Sequence, residues 1–203
     1  MVDVAMVEVA QTKPSYANPA PLGLVAFGLT TVMLSLVNAG VLPQGGEQVV
    51  LPLALAYGGL AQIIAGLLEF RTGNTFGTTA FLSYGAFWWW FALLVILGNN
   101  GVFDLSQAES TIGVALIGWG VFTLCMWIGT FRLSKALWWV FLTLWITFFT
   151  LGLGTLLGVH GLTVLGGWLG LVCGLLAMYT SFGLVTNTTF GKPVIPLGEP
   201  LHA

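Results

Sequence analysis

The chain alternates between six long apolar stretches and short polar connections. A helix that crosses the hydrocarbon core of a bilayer needs about 20 predominantly apolar residues, and each stretch is close to that length. The pattern therefore predicts six membrane-spanning helices, at residues 21–38, 49–70, 78–97, 111–130, 136–157 and 162–185.

The connections leave no room for a soluble domain. They are rich in the turn-forming residues Pro, Gly and Asn, as at 43–46 and 98–101, and the longest runs only from 98 to 110,. We therefore expect an all-α integral membrane protein, a six-helix bundle in each protomer. Its parts are an N-terminal tail (1–17), the transmembrane domain (18–186) and a C-terminal tail (187–203).

Charge predicts the orientation of the bundle. All five basic residues lie on one side of the six-helix pattern, namely Lys13, Arg71, Arg132, Lys135 and Lys192, whereas the opposite connections contain no Lys or Arg. Because positively charged loops stay cytoplasmic, both termini are expected inside, and both tails are expected to be cytoplasmic. Only 6% of the residues are charged, against about 25% in soluble domains, which excludes a water-soluble protein.

Composition also limits the binding partners and the cellular location that we expect for this protein. The chain has no basic cluster of the kind that binds nucleic acid,. Residues 1–17 contain no apolar stretch of the kind found in signal peptides, so we expect no cleavable signal or other targeting segment,. Together with the predicted orientation, this favours a multi-pass protein of a prokaryotic inner (plasma) membrane.

The apolar stretches offer little catalytic chemistry. The sequence has no Ser/His/Asp set, no His-rich metal site and no Gly-rich phosphate loop, so we expect neither an enzyme nor a metal or cofactor. Glu69 is the one acidic residue within a predicted span. It is either a functional group, as ionisable residues in membranes often are, or part of an interfacial neighbourhood with Arg71 that fixes the helix end.

Two helix starts are more informative. Asn18 precedes Pro19-Ala20-Pro21 at the start of the first span, and Asn74 precedes the start of the third. Asn is a strong N-cap, and free N–H groups at helix N-termini bind anions. Both starts are expected at the cytoplasmic mouth, where they either hold a small carboxylate or serve as ordinary caps.

Two further patterns leave alternatives open. Thr31 belongs to a polar stripe on the first helix, which either lines a weakly hydrated path or bonds to the carbonyls of the preceding turn,. In the sixth span Gly166, Gly170 and Gly174 form a GxxxGxxxG stripe, where another helix can approach closely,. That helix belongs either to the same chain or to a neighbouring subunit.

Several motifs resemble one family. Asn18-Pro19-Ala20-Pro21-Leu22-Gly23-Leu24 looks like the signature of the acetate uptake transporters, a family that includes bacterial acetate–succinate permeases and yeast ammonia/acetate exporters. The similarity continues through residues 57–62, 66–70, 73–77, 81–85, 118–123 and 166–168, and so covers nearly the whole chain.

The resemblance implies a homohexamer with a path through each protomer for acetate and related short carboxylates such as succinate. It also implies a hydrophobic gate of Phe27, Tyr84 and Leu144, called the Phe–Tyr–Leu triad below. All three lie six to eight residues into helices expected to run outward, or roughly 9–12 Å deep at 1.5 Å per residue, so they are able to meet in one ring. Asn18, Asn74, Thr31, Gln62 and Glu69 are expected at the mouth and in anion binding.

The sequence leaves the transported species open. A carboxylic acid is almost wholly anionic at pH 7, and stripping an anion of water in an apolar gate is costly. Acetate therefore passes either as a partly hydrated anion or together with a proton. Two other functions compete: a channel for ammonium or another small neutral solute, and a structural membrane component that transports nothing.

Overall fold

The computed structural model describes residues 16–201. Lys13 and most of the expected N-terminal tail therefore lie outside the described residues. Within this range all regular secondary structure is helical. In chain order the elements are α1 (Ala20–Asn38), α2 (Glu47–Leu53), a π-helical segment (Ala54–Ala61), α3 (Gln62–Thr72), α4 (Thr75–Asn99), α5 (Glu109–Gly129), a 3-10 turn (Thr130–Arg132), α6 (Lys135–Leu157) and α7 (His160–Phe190).

Six helical units in the described range are long and apolar enough to cross a membrane. Four are single helices, whereas the second unit joins α2, the π-helical segment and α3, and the fourth joins α5 to the 3-10 turn. The prediction of an all-α protein with six membrane-spanning helices is confirmed. Observed and predicted ends differ by three residues or fewer, except that α7 continues past the predicted end at 185 to Phe190.

The six units pack as a ring around a narrow interior. α1 lies against both α7 and the second unit, α7 packs on α6, and α6 packs on α5. The second unit packs on α4, and a small contact between α4 and α5 closes the ring. Neighbours along the chain are antiparallel, so α1, α4 and α6 begin at the same end of the bundle. That end also carries Arg71, Arg132, Lys135 and Lys192.

Close glycine contacts hold α1 against α7. A Cβ atom added to Gly174 would lie 2.8 Å from the carbonyl oxygen of Gly28, and one added to Gly28 would lie 2.8 Å from the carbonyl oxygen of Gly174. Gly166 and Gly170, the other two glycines of the stripe, also meet atoms of α6 or α1. The GxxxGxxxG stripe therefore serves packing within the chain, the first of its two interpretations.

The second unit contains an eight-residue π-helix, which the sequence did not predict. Pro52, which has no N–H to donate, lies just before it,. The indole of Trp89 on α4 donates to the carbonyl of Leu55 at 2.9 Å. This indole packs directly over Gly59, where any larger side chain would collide with it. π-Helical segments often occur at functional sites, and this one ends at Ala61, directly before Gln62,.

After α7 the chain folds back as a C-terminal segment (residues 191–201). The side chain of Asn187 accepts from the N–H groups of Val194 and Ile195, at 2.7 and 2.8 Å. The carbonyls of Leu197 and Gly198 accept from the first two N–H groups of α6, at 2.9 and 3.3 Å. The segment thus ties the end of α7 to the start of α6.

Candidate solute pathway

A cavity of about 300 Å³ lies inside the ring, at the end where α1, α4 and α6 begin. Pockets for small organic ligands range from about 300 to 1,000 Å³, so this cavity suits a very small solute. Among residues 16–201 its lining is mainly apolar and includes no charged residue. The polar side chains that line it are Asn18, Gln62, Asn74, Tyr84, Ser134 and Thr180.

The Phe–Tyr–Leu triad lines the deep part of this cavity. The rings of Phe27 and Tyr84 are in contact, with centroids 5.8 Å apart, and Leu144 lines the same space. All three side chains are buried. Counted from the first residues of α1, α4 and α6 at 1.5 Å per residue, they lie about 10–14 Å into the bundle. The structure therefore brings the three residues together at one depth.

Both asparagines of the helix starts line the cavity and also act as caps. The Asn74 side chain occupies the N-cap of α4 and accepts from the N–H of Gly77 at 3.0 Å. On α1 the N-cap residue is Pro19 rather than Asn18, but the Asn18 side chain still accepts from the N–H of Ala20 at 3.0 Å. Each side-chain oxygen thus accepts from a backbone N–H at a helix start, while the same side chain forms part of the cavity lining.

Glu69 lies behind this mouth and does not line the cavity. Its side chain is only 1% exposed. One carboxylate oxygen accepts from the Asn74 amide at 2.8 Å and from the Thr72 hydroxyl at 3.3 Å. The partners of Glu69 are therefore Asn74 and Thr72, not the neighbouring Arg71, and its contact with the pathway runs through Asn74.

Gln62 is the most unusual polar residue of the lining. It is 1% exposed, and its amide oxygen has no hydrogen-bond partner among the described residues. It is the first residue of α3 and lies ten residues from the end of that helix, or about 15 Å deep,. Gln62 therefore lies at the depth of the triad, with an unsatisfied acceptor in a buried site. Such a group costs about 1–3 kcal/mol unless a ligand or water pairs with it.

A sequence profile of the GPR1/FUN34/yaaH family matches residues 5–199. The chain belongs to this family.

Relatives within the family carry informative names. The chain is 45% identical over 183 residues to a protein of Escherichia coli K12 named succinate-acetate/proton symporter SatP, covering 90% of this chain and 96% of that one. It is 37% identical over 198 residues to acetate permease A of Emericella nidulans, covering 91% of this chain and 66% of that one. A solved structure described as the bacterial acetate channel SatP superposes with a TM-score of 0.87 at 43% identity, covering 91% of this chain and all of that one.

Thr31, expected at the mouth, lies one helical turn beyond the triad. It is buried and does not line the cavity, and its hydroxyl donates to the carbonyl of Phe27 at 2.7 Å. Further out, Ser35 packs directly on Gly170 of α7. No described residue of α1, α4 or α6 beyond Phe27, Tyr84 and Leu144 lines the cavity, which therefore ends at the triad.

Three polar residues in or near the cavity received no role in the sequence analysis. Ser134 and Thr180 line the cavity, but lone hydroxyl residues near or within a span carry little signal. Thr123 on α5 is fully buried and accepts from the Tyr84 hydroxyl at 2.9 Å. Thr123 falls within a motif that carried the family resemblance. However, its partner lies 39 residues away in the sequence, so only the fold reveals the contact.

Proposed function

We propose that this protein carries acetate and related short carboxylates, succinate among them, across the membrane through a path in each protomer. The observation that carries the proposal is the cavity itself, which extends from a mouth lined by Asn18 and Asn74 to the buried Phe–Tyr–Leu triad. The names of its relatives, an acetate channel, an acetate permease and a succinate-acetate/proton symporter, support this substrate class.

The mouth is suited to a small carboxylate because its polar groups are uncharged amides. Asn18 and Asn74 lie at the starts of two helices whose positive dipole ends face the same space,. Gln62 offers a further amide at the base of the cavity. We assign these three residues to solute binding and Glu69 to holding Asn74, while Thr31 lies beyond the triad and outside the cavity lining.

The triad acts as the gate in this proposal. A ring of Phe27, Tyr84 and Leu144 admits a solute with a short apolar tail and disfavours a hydrated ion, whose water it cannot replace. Because the cavity ends at these three side chains, the proposal requires them to move apart for a solute to pass.

The same proposal covers orientation and assembly. With basic residues on the mouth side, the mouth and both tails face the cytoplasm of a plasma membrane. The domains are then tails of 1–17 and 187–203 around a transmembrane domain of 18–186. Exposed apolar side chains on the outer faces of the helices contact lipid and neighbouring protomers of a homohexamer.

Liposomes carrying only the purified protein test the function. Uptake of labelled acetate above that of empty liposomes is expected. Uptake that is absent, or confined to ammonium, would instead support the structural component or the ammonium channel.

A Phe27→Ala variant tests the gate. Removing this ring widens the triad, so we expect uptake of butyrate relative to acetate to rise several-fold. Phe148→Ala is the matched control, because Phe148 is equally buried but packs on Phe87 and Trp119 outside the cavity lining. Unchanged size selectivity in the Phe27 variant would refute the gate assignment.

A further inference from the structure

The ring of Tyr84 rests on α5, a helix none of whose described residues lines the cavity. It contacts the ring of Phe122, with centroids 5.6 Å apart, and its hydroxyl donates to the Thr123 hydroxyl at 2.9 Å. The ring of Trp119 lies beside these residues, with its centroid 6.2 Å from that of Tyr84. These three residues of α5 therefore form a second layer, which lies behind Tyr84 as seen from the cavity.

The helices that carry Phe27 and Tyr84 are fixed by backbone contacts on other sides. A Cβ atom added to Gly28, next to Phe27, would lie 2.8 Å from a carbonyl oxygen of α7. One added to Gly85, next to Tyr84, would lie 3.0 Å from the carbonyl oxygen of Gly59. Backbones in such close contact leave no space into which either helix can shift. A solute that parts the triad therefore displaces side chains rather than helices.

The contact between α4 and α5 is made by side chains instead. No described glycine of either helix packs on the backbone of the other, and Gly129 of α5 meets only the ring of Phe76. α5 backs a gap, because no Cα atom of α4 lies within 8 Å of a Cα atom of α6 in residues 16–201. A side chain can turn to another rotamer without separating two backbones. Tyr84 is therefore able to move out of the path toward α5.

Within the second layer, Phe122 is the residue that limits this movement. Trp119 is held on its other sides by the rings of Phe87 and Phe148, with centroids 5.3 and 6.4 Å away. Phe122 is partly buried and packs directly on Tyr84. A bulky side chain at position 122 allows the Tyr84 ring a small swing, whereas a small one would allow a larger swing.

We infer that Phe122 is a specificity-determining residue that acts through Tyr84: it limits the swing of the Tyr84 ring and so sets the width of the carboxylates that pass. Thr123 is a positioning residue, because its hydroxyl accepts from that of Tyr84 and holds the ring across the path. This rests on the proposed function and assigns the choice among carboxylates to residues outside the cavity lining. Unbranched short chains are expected to pass, and branched chains to be rejected.

Butyrate and isobutyrate are suitable probes because they contain the same atoms and differ in width. Uptake of each is measured in liposomes that carry the purified protein, and uptake by empty liposomes is subtracted. The unaltered protein should favour butyrate, and Phe122→Ala should raise the ratio of isobutyrate to butyrate uptake several-fold. Phe149→Ala is the matched control, because Phe149 is also partly buried between α5 and α6 but packs on Trp145 and against Gly120. This control should leave the ratio unchanged.

Further variants test whether the effect runs through Tyr84. Thr123→Val removes the acceptor of the Tyr84 hydroxyl while nearly keeping the side-chain shape, so it should raise the same ratio. Thr123→Ser keeps the hydroxyl and should not raise it. In a Tyr84→Ala protein the ring is already absent, so adding Phe122→Ala should cause no further rise. A further rise there would contradict action through Tyr84.

The outcomes separate the inference from the function on which it rests. A folded Phe122→Ala protein with the unaltered ratio would overturn the inference and leave the proposed function standing, as would an equal rise in Phe149→Ala. If Phe122→Ala does not fold, the two Thr123 variants decide, and equal ratios for valine and serine would refute the inference. An unaltered protein that takes up no acetate would overturn the proposed function, and the inference with it.

Discussion

The hydrogen bond that Asn74 donates to Glu69 should also form when donor and acceptor are exchanged between the two positions. Asn74 donates to a Glu69 oxygen at 2.8 Å while its own oxygen caps the N–H of Gly77. Asn74→Ala removes both bonds. Loss of an N-cap costs about 1 kcal/mol, and leaving a buried acceptor with only the long bond to Thr72 costs about 1–3 kcal/mol. We therefore expect the free energy of unfolding to fall by about 2–4 kcal/mol.

Asn74→Asp separates the two contributions. An aspartate still caps the helix, but it places a second carboxyl group against Glu69 with no donor between them. Adding Glu69→Gln restores one donor, because the new amide can donate to Asp at position 74. Coupling between side chains in membrane helices averages about 0.6 kcal/mol and reaches about 1.7 kcal/mol. The double variant should therefore recover about 1 kcal/mol relative to the sum of the single changes.

The measurement is unfolding in mixed micelles with rising SDS, followed by the fluorescence of the nine tryptophans. Glu69→Gln alone is the control, because its amide oxygen can still accept from Asn74. Strictly additive effects of the two substitutions would refute the reasoning, as would an Asn74→Ala variant as stable as the unaltered protein.

Two further predictions concern packing at the ends and middle of the bundle. Gly174→Val places side-chain atoms against the Gly28 carbonyl on α1, so it should lower the free energy of unfolding by about 1–3 kcal/mol in the same micelle assay. The control is Gly118→Val, because a Cβ added at Gly118 has nothing within 4 Å. This control should leave the free energy of unfolding nearly unchanged. Asn187→Ala removes the anchor of the C-terminal segment and should speed proteolytic cleavage of residues 191–201 severalfold. The control is Thr189→Ala, whose hydroxyl bonds only within α7, and equal cleavage of the two variants would contradict this role.

The sequence predicted the helices well because a bilayer imposes one rule on every span, a run of about 20 apolar residues. It missed the π-helical segment and the C-terminal segment. The π-helix depends on an indole from another helix, that of Trp89 bonding to Leu55. The C-terminal segment depends on Asn187 side-chain contacts that no local pattern encodes. The polar residues of the site were harder to predict than the helices. Gln62 was expected at the site because it lies in a motif of the family. The contact of Thr123 with Tyr84 joins residues 39 positions apart, so no local pattern predicts it.

The distribution of charge suggests how such a path conducts without trapping its solute. Arg71, Arg132, Lys135 and Lys192 lie at the end of the bundle where the cavity opens, yet none of them lines it. Positive charges around the opening raise the local concentration of an anion there and speed its arrival at the cavity. A charge inside an apolar cavity of about 300 Å³ would bind a carboxylate too strongly to release it, and conduction requires weak sites. Uncharged amides within the cavity, and basic residues only around it, meet both requirements.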